Sequence, residues 1–224
     1  MESSQFAANY FDRTRQALEA IDPGEVGRCC QALLDCARRD GTVFIAGNGG
    51  SAALADHLAC DLVKSVLGRG YPVQSAIRPR ACSLTGNTAL FTAWANDVGY
   101  SVIFSESLRS LARPGDLLLV ISASGKSPNV VAALEAASEM GLEKLGWLGF
   151  DGGPARALCD ASVLVPVVDY GIVESAHATL GHLVTEWLRE RLQEEPAIES
   201  RYQARSAAPA ERRSVAPVAR TRRP

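Results

Sequence analysis

Three histidines are the whole imidazole complement of this 224-residue chain, and each stands near a carboxylate on a segment with helical patterning. His57 precedes Asp61 by four residues, which puts both side chains on one face of a helix, a turn apart. His177 and His182 follow Glu174, and on an ideal helix they lie about 60° and about 80° around from it, so geometry alone chooses neither. Nitrogen and oxygen donors at such spacing suit a divalent ion such as Zn²⁺, or they supply a general acid and base. A surface His–Asp pair and a histidine packed into a core are the ordinary structural alternatives.

A second kind of chemistry lies in two loops rich in glycine and serine. Gly47-Asn48-Gly49-Gly50-Ser51 follows the apolar run Thr42–Ala46, and Ser122-Ala123-Ser124-Gly125-Lys126-Ser127 follows Leu117–Ile121. Glycine lets backbone approach a ligand, serine hydroxyls donate hydrogen bonds, and the start of a following helix offers unpaired N–H groups to an anion. The pair points to a phosphorylated small molecule. Neither loop has the dinucleotide spacing G-x-G-x-x-G, and Gly125-Lys126-Ser127 lacks the glycine five residues earlier that an NTPase phosphate loop carries. Nucleotide hydrolysis is therefore disfavoured.

The elements that must position these residues alternate. Amphipathic patterns over 6–20 and 22–39, the second opened by Asp22-Pro23, precede strand-like runs near 42–46, 72–77, 116–121, 144–150 and 162–166. Helical patterns fall near 51–67, 87–112, 127–141, 153–159 and 171–194. The central strands are continuously apolar, as in a parallel sheet covered on both faces, where ligands bind at the carboxyl ends of the strands. The first two helices have no partner in such a unit and are expected to pack against another subunit.

Composition sets outer bounds. With 47% hydrophobic residues and a formal net charge of −2, the chain can bury one sizeable core, and no long apolar run suggests a membrane span. The start of the chain lacks the basic-then-apolar pattern of a secretory signal, so a cytoplasmic protein is expected. Cys29, Cys30, Cys36, Cys60, Cys82 and Cys159 form no C-x-x-C pair and read as reduced, mostly buried thiols. Charge is uneven: in 196–224, seven arginines against two glutamates give +5, leaving −7 for the rest. That proline- and alanine-containing segment reads as a basic, disordered tail of unknown partner, with nucleic acid not expected.

At this point the sequence resembles a family. Gly47-Asn48-Gly49-Gly50-Ser51 with His57 six residues on, Asn96-Asp97 with Gly99-Tyr100, Ser122-x-Ser124-Gly125-x-Ser127, Asp151-Gly152-Gly153 and the Glu174…His182 helix are similar to the sugar isomerase (SIS) domain of phosphoheptose isomerases. The resemblance covers about residues 5–193. It implies a flavodoxin-like, three-layer α/β fold with a five-stranded parallel sheet, N-terminal oligomerisation helices over 1–40, the SIS domain over 41–195, and a homotetramer. It also implies interconversion of sedoheptulose 7-phosphate and D-glycero-D-manno-heptose 7-phosphate through an enediolate. By the same resemblance, His57, Asp61, Glu174 and His182 hold one Zn²⁺ per subunit, and Asp61 and His182 transfer the proton. Ser51, Ser122, Ser124 and Ser127 contact phosphate, with Gly49 and Gly50 in the same loop, while Asn48 and Asp97 bind substrate.

Four departures stand out. Asp61 replaces the family's usual glutamate, Glu174 a glutamine, Ser65 a frequent arginine and Lys126 an asparagine. The shorter Asp61 loses one methylene of reach, in chemistry where a displacement of about 1 Å is costly. Lys126 or Lys64 could supply the charge lost at position 65, and Lys126 could equally face solvent. Two other readings share these residues: an isomerase for a different sugar phosphate, and a non-catalytic SIS adaptor that binds a phosphosugar or a protein. Retention of all four candidate ligands favours catalysis.

Overall fold

The computed structural model describes residues 2–68 and 77–194. Two helices, α1 (Ser3–Glu19) and α2 (Pro23–Arg38), lead into β1 (Thr42–Gly47), α3 (Gly50–Val63), β2 (Arg80–Ser83), α4 (Thr88–Asp97) and α5 (Ile103–Leu111). Then follow β3 (Leu117–Ser122), α6 (Pro128–Glu139), β4 (Glu143–Gly149), α7 (Gly153–Leu158), β5 (Ala161–Val165) and α8 (Tyr170–Glu194). Every strand pair is parallel, in the order β2-β1-β3-β4-β5. The order in which strands are added switches sides between β1 and β3, so the crevice for a ligand opens between the loops that follow those two strands.

Side-chain alternation along each strand divides the interior into two cores. Val43, Ile45, Leu117, Leu119, Leu145, Trp147 and Val163 face α2, α3 and α8, while Phe44, Ala46, Leu118, Val120 and Leu148 face α5 and α6. Burial of each of the Val, Leu, Ile and Phe side chains among them contributes about 1.5–3 kcal/mol. Because α3 and α8 cover the same face, their His and Asp residues can meet.

Local signals explain the element boundaries. Asp22 Oδ1 accepts from the Gly24 N–H at 2.8 Å and Pro23 opens α2. Asn87 Oδ1 accepts from the Leu90 N–H to start α4. The single helix expected over 87–112 is two, because Gly99 adopts φ 143°, a conformation that only glycine takes readily, and a short 3-10 turn (Tyr100–Val102) re-aims the chain into α5. The strand expected near 72–77 falls, except for Ile77, outside the described residues; the strand found is Arg80–Ser83, a short edge strand.

The two leading helices differ from expectation and from each other. α2 is not without a partner: Cys29, Cys30, Leu33, Leu34 and Cys36 are buried in the core against the sheet and α8. Its Glu25 accepts from the Leu164 N–H at 3.1 Å, occupying an open donor on edge strand β5. α1 buries only Ala17 and leaves Phe6 and Phe11 exposed. All six cysteines are free; Cys60 is exposed rather than buried. Among the described residues no helix is long and apolar enough to cross a membrane.

Candidate active site

The helices α3 and α8 run side by side in the same direction, since Gly50 meets Glu174, Leu54 meets Gly181, Asp61 meets His182 and Ser65 meets Arg189 in that order. Midway along the pair, Asp61 Oδ2 lies 3.3 Å from His57 Nε2 and 3.7 Å from His182 Nδ1. The two imidazole rings stand edge to face, 5.2 Å between centroids. The Asp61 side chain is only 14% exposed, whereas His57 and His182 are 54% and 67% exposed. These three are the one group of such donors, among the described residues, gathered closely enough to hold a metal ion.

The donor set fits such an ion. Ligands at about 2.0–2.1 Å around a tetrahedral centre are spaced by about 3.3 Å, close to the separations from Asp61 Oδ2. Two imidazoles and one carboxylate also leave a coordination position open, the pattern of catalytic rather than structural zinc sites. His177, the other candidate, lies fully buried, and its ring nitrogens make no well-formed hydrogen bond beyond the approach of the Leu148 backbone. Burial pushes its imidazole down to about 4, only partly offset by the Leu148 backbone.

Glu174 does not join this group within the chain. Eight residues of α8 separate it from His182, a rise of about 12 Å. Its carboxylate lies instead at the start of α3, where a Cβ on Gly50 would come within 2.6 Å of Oε2. There it complements the positive end of the helix dipole.

The two serine loops flank the β1/β3 crevice, and they are tied to each other. Asn48 and Asn129 exchange amide hydrogen bonds of 2.9 and 2.8 Å, and Tyr100 Oη donates to Asn48 Oδ1 at 2.9 Å. Asn48 thus braces the first loop against α6. Ser51 is buried at the start of α3. In the second loop, Ser122 Oγ accepts from the Gly125 N–H and Ser124 Oγ from the Lys126 N–H, which leaves both hydroxyl hydrogens to donate. Ser127 caps no backbone group with its own side chain, and α6 begins at the next residue. Asp97 is exposed at the end of α4, where its carboxylate accepts from Asn96.

Sequence reasoning missed the device that shapes the second loop. Gly125 (φ 62°) packs directly on the Gly152 carbonyl, where any Cβ would overlap it, and a Cβ on Gly153 would sit 2.7 Å from the Gly125 carbonyl. The Ala155 N–H donates to that same carbonyl at 3.1 Å. Lys126 reaches over this junction to Asp151, 3.4 Å away. Asp151-Gly152-Gly153 was visible as a motif, but its steric role needed the fold. Asn129 carried no signal of its own.

The comparisons agree with this architecture. Residues 9–146 match the model of the SIS domain family. A phosphoheptose isomerase of Pelobacter propionicus is 39% identical over 160 residues, covering 71% of this chain and 82% of the relative. One of Desulfovibrio desulfuricans is 43% identical over 151 residues, covering 67% and 69%. Among solved structures, a phosphoheptose isomerase from Neisseria gonorrhoeae superposes with TM-score 0.74 at 31% identity, over 84% of this chain and 98% of that one. The chain belongs to the SIS domain family, a class of α/β sugar isomerase domains. Within that family its relatives are the phosphoheptose isomerases, which makes it an aldose–ketose isomerase.

Proposed function

We propose that this chain interconverts D-sedoheptulose 7-phosphate and D-glycero-D-manno-heptose 7-phosphate. The observation that carries the reading is the His57–Asp61–His182 group on the α3/α8 face, in a chain whose β1/β3 crevice is lined by serine loops. The phosphate sits at the second loop, with Ser122, Ser124 and Ser127 donating alongside the start of α6, because the start of α3 already has the Glu174 carboxylate beside it. Ser51, Gly49 and Gly50 line the opposite wall, and Asp97 takes a sugar hydroxyl.

Isomerisation needs a proton taken from one carbon beside the carbonyl and returned to the other through a cis-enediolate. Asp61 and His182 move that proton, and His57 steadies the Asp61 carboxylate from the other side. His57, Asp61 and His182 would hold a divalent ion such as Zn²⁺, which when bound would supply Lewis-acid polarisation of the sugar oxygens.

The active form is a homotetramer with sites shared between subunits. The helix rise puts His57 about 10 Å and Asp61 about 16 Å beyond Gly50, so the reactive group is well removed from its own chain's loops. Both imidazoles and the apolar Phe6, Phe11 and Tyr170 are exposed, surface that a neighbouring subunit would cover. In that assembly the Glu174 of a second chain would be the further carboxylate available to an ion held by His57, Asp61 and His182. The chain acts in the cytoplasm, the exposed α1 supports assembly while α2 belongs to the core, 41–195 carries the site, and 196–224 is dispensable.

The test is incubation of metal-replete protein with C5, C6 and C7 ketose phosphates while following aldose formation. Turnover confined to the C7 substrate supports the reading. Turnover of a shorter sugar alone moves the chain to another isomerase, and no turnover with retained phosphosugar binding makes it an adaptor.

A further inference from the structure

Below the reactive group the α3/α8 pair carries a chain of hydrogen bonds that ends on Asp61. Ser65 Oγ donates to Asp61 Oδ1 at 2.8 Å, so Oδ1 is occupied and Oδ2 is the oxygen turned to both imidazoles. Ser65 opens the 3-10 turn (Ser65–Leu67) that finishes α3, and its carbonyl accepts from Arg189 Nε at 3.1 Å as well as from the Gly68 N–H. Arg189 thereby fixes the last turn of α3 in the place that keeps Ser65 over Asp61. Asp61, Ser65, His182, Thr185, Glu186 and Arg189 line one small pocket of about 250 Å³ beside the group.

We infer that Ser65, anchored by Arg189, is a positioning residue that sets which oxygen of Asp61 faces the imidazoles. This inference rests on the proposed role of the His57–Asp61–His182 group. A carboxylate with both oxygens free can rotate about its last bond and share its donors between two orientations; one fixed by a hydroxyl at Oδ1 presents a single oxygen. Outer hydrogen-bond partners of this kind typically change metal affinity by about 10–100-fold. Arg189 acts one step further out and has a smaller effect.

The experiment compares wild type, Ser65→Ala, Ser65→Thr and Arg189→Met. Zn²⁺ affinity is read by chelator competition on apo-protein, and kcat and KM are read separately. Expected for Ser65→Ala are an about tenfold loss of Zn²⁺ affinity and a fall in kcat with KM unchanged. Ser65→Thr, which restores the hydroxyl, should recover both, and Arg189→Met should show the same pattern more weakly. Unchanged affinity and kcat in Ser65→Ala overturns the inference, as does equal loss in the Thr variant. Wild-type protein that binds no Zn²⁺ overturns the metal reading instead, and the kcat comparison then decides the positioning role alone.

Discussion

The proposed phosphate cradle and the His57–Asp61–His182 group are built in opposite ways. The cradle is largely backbone: glycine-on-glycine packing, a buried Ser122 and an Asn48–Asn129 amide pair hold its shape inside one chain. The His57–Asp61–His182 group is side chains on the outer surface of two helices, with its imidazoles more than half exposed. A site for a fixed charge can be made rigid by the fold alone. Groups that must bind an ion, exchange protons and still exclude water call for a cover, which in the proposed assembly a neighbouring subunit supplies.

The sharpest way to break this division is to remove the reactive group and leave the cradle. Asp61→Asn and His182→Ala should each lower kcat by about 10²–10⁴ with little change in KM, as measured by steady-state kinetics. A raised KM with normal kcat would make the group a binding element. The shared-site reading is tested on the same scale by mixing two inactive variants, Glu174→Ala and His182→Ala, under conditions that exchange subunits. If each site draws those residues from different chains, about a quarter of the wild-type activity should return, because one mixed combination in four is intact. No recovery from verified mixed oligomers would confine the site to one chain.

The cradle is next in size. Gly125→Ala adds a Cβ that overlaps the Gly152 carbonyl at a positive φ, so the second loop must shift. KM should rise by about tenfold or more, a loss of about 1.4 kcal/mol in binding, with kcat less affected. Thermal melting checks that the fold persists. A larger fall in kcat than rise in KM would show that the loop positions the reacting carbons and not only the phosphate.

What the sequence made legible follows the same division. Strands buried on both faces are long apolar runs, so β1, β3 and β4 could be read directly, and with them the two loops, while the edge strand β5 was readable from the apolar Val163–Val165 at its end. β2 could not, because an edge strand as short as Arg80–Ser83 has no such run. The α4/α5 break turns on one glycine, Gly99, which a pattern spanning 87–112 absorbs without notice. His57 and Asp61 were readable as a pair because their spacing is local. The choice of His182 over His177 was not, since it depends on which face of α8 meets α3. Glu174 shows the limit of the reverse kind, where a position matched by resemblance sits elsewhere in the single chain for a reason of helix rise.

The smallest expected effect on catalysis, and the one that sharpens the contrast most, concerns His177 and His182, five residues apart on α8. His182 is exposed beside Asp61; His177 is fully buried, without a well-formed hydrogen bond, and pushed down to about 4 by loss of solvent. A depressed histidine is neutral in the folded protein while the unfolded chain takes up a proton near its ordinary value of about 6.5. Its contribution is therefore intact above pH 6.5 and is lost as the pH falls from there toward 4, by of order 3 kcal/mol in all. His177→Leu removes both the titration and the unpaired ring nitrogens while keeping an apolar side chain. It should leave kcat within about twofold at pH 7.5 and flatten the acid limb of the stability curve in urea titrations run between pH 4 and pH 7. Loss of activity in folded His177→Leu protein would bring the buried histidine into the reaction, and an unchanged acid limb would place the source of acid sensitivity in another group.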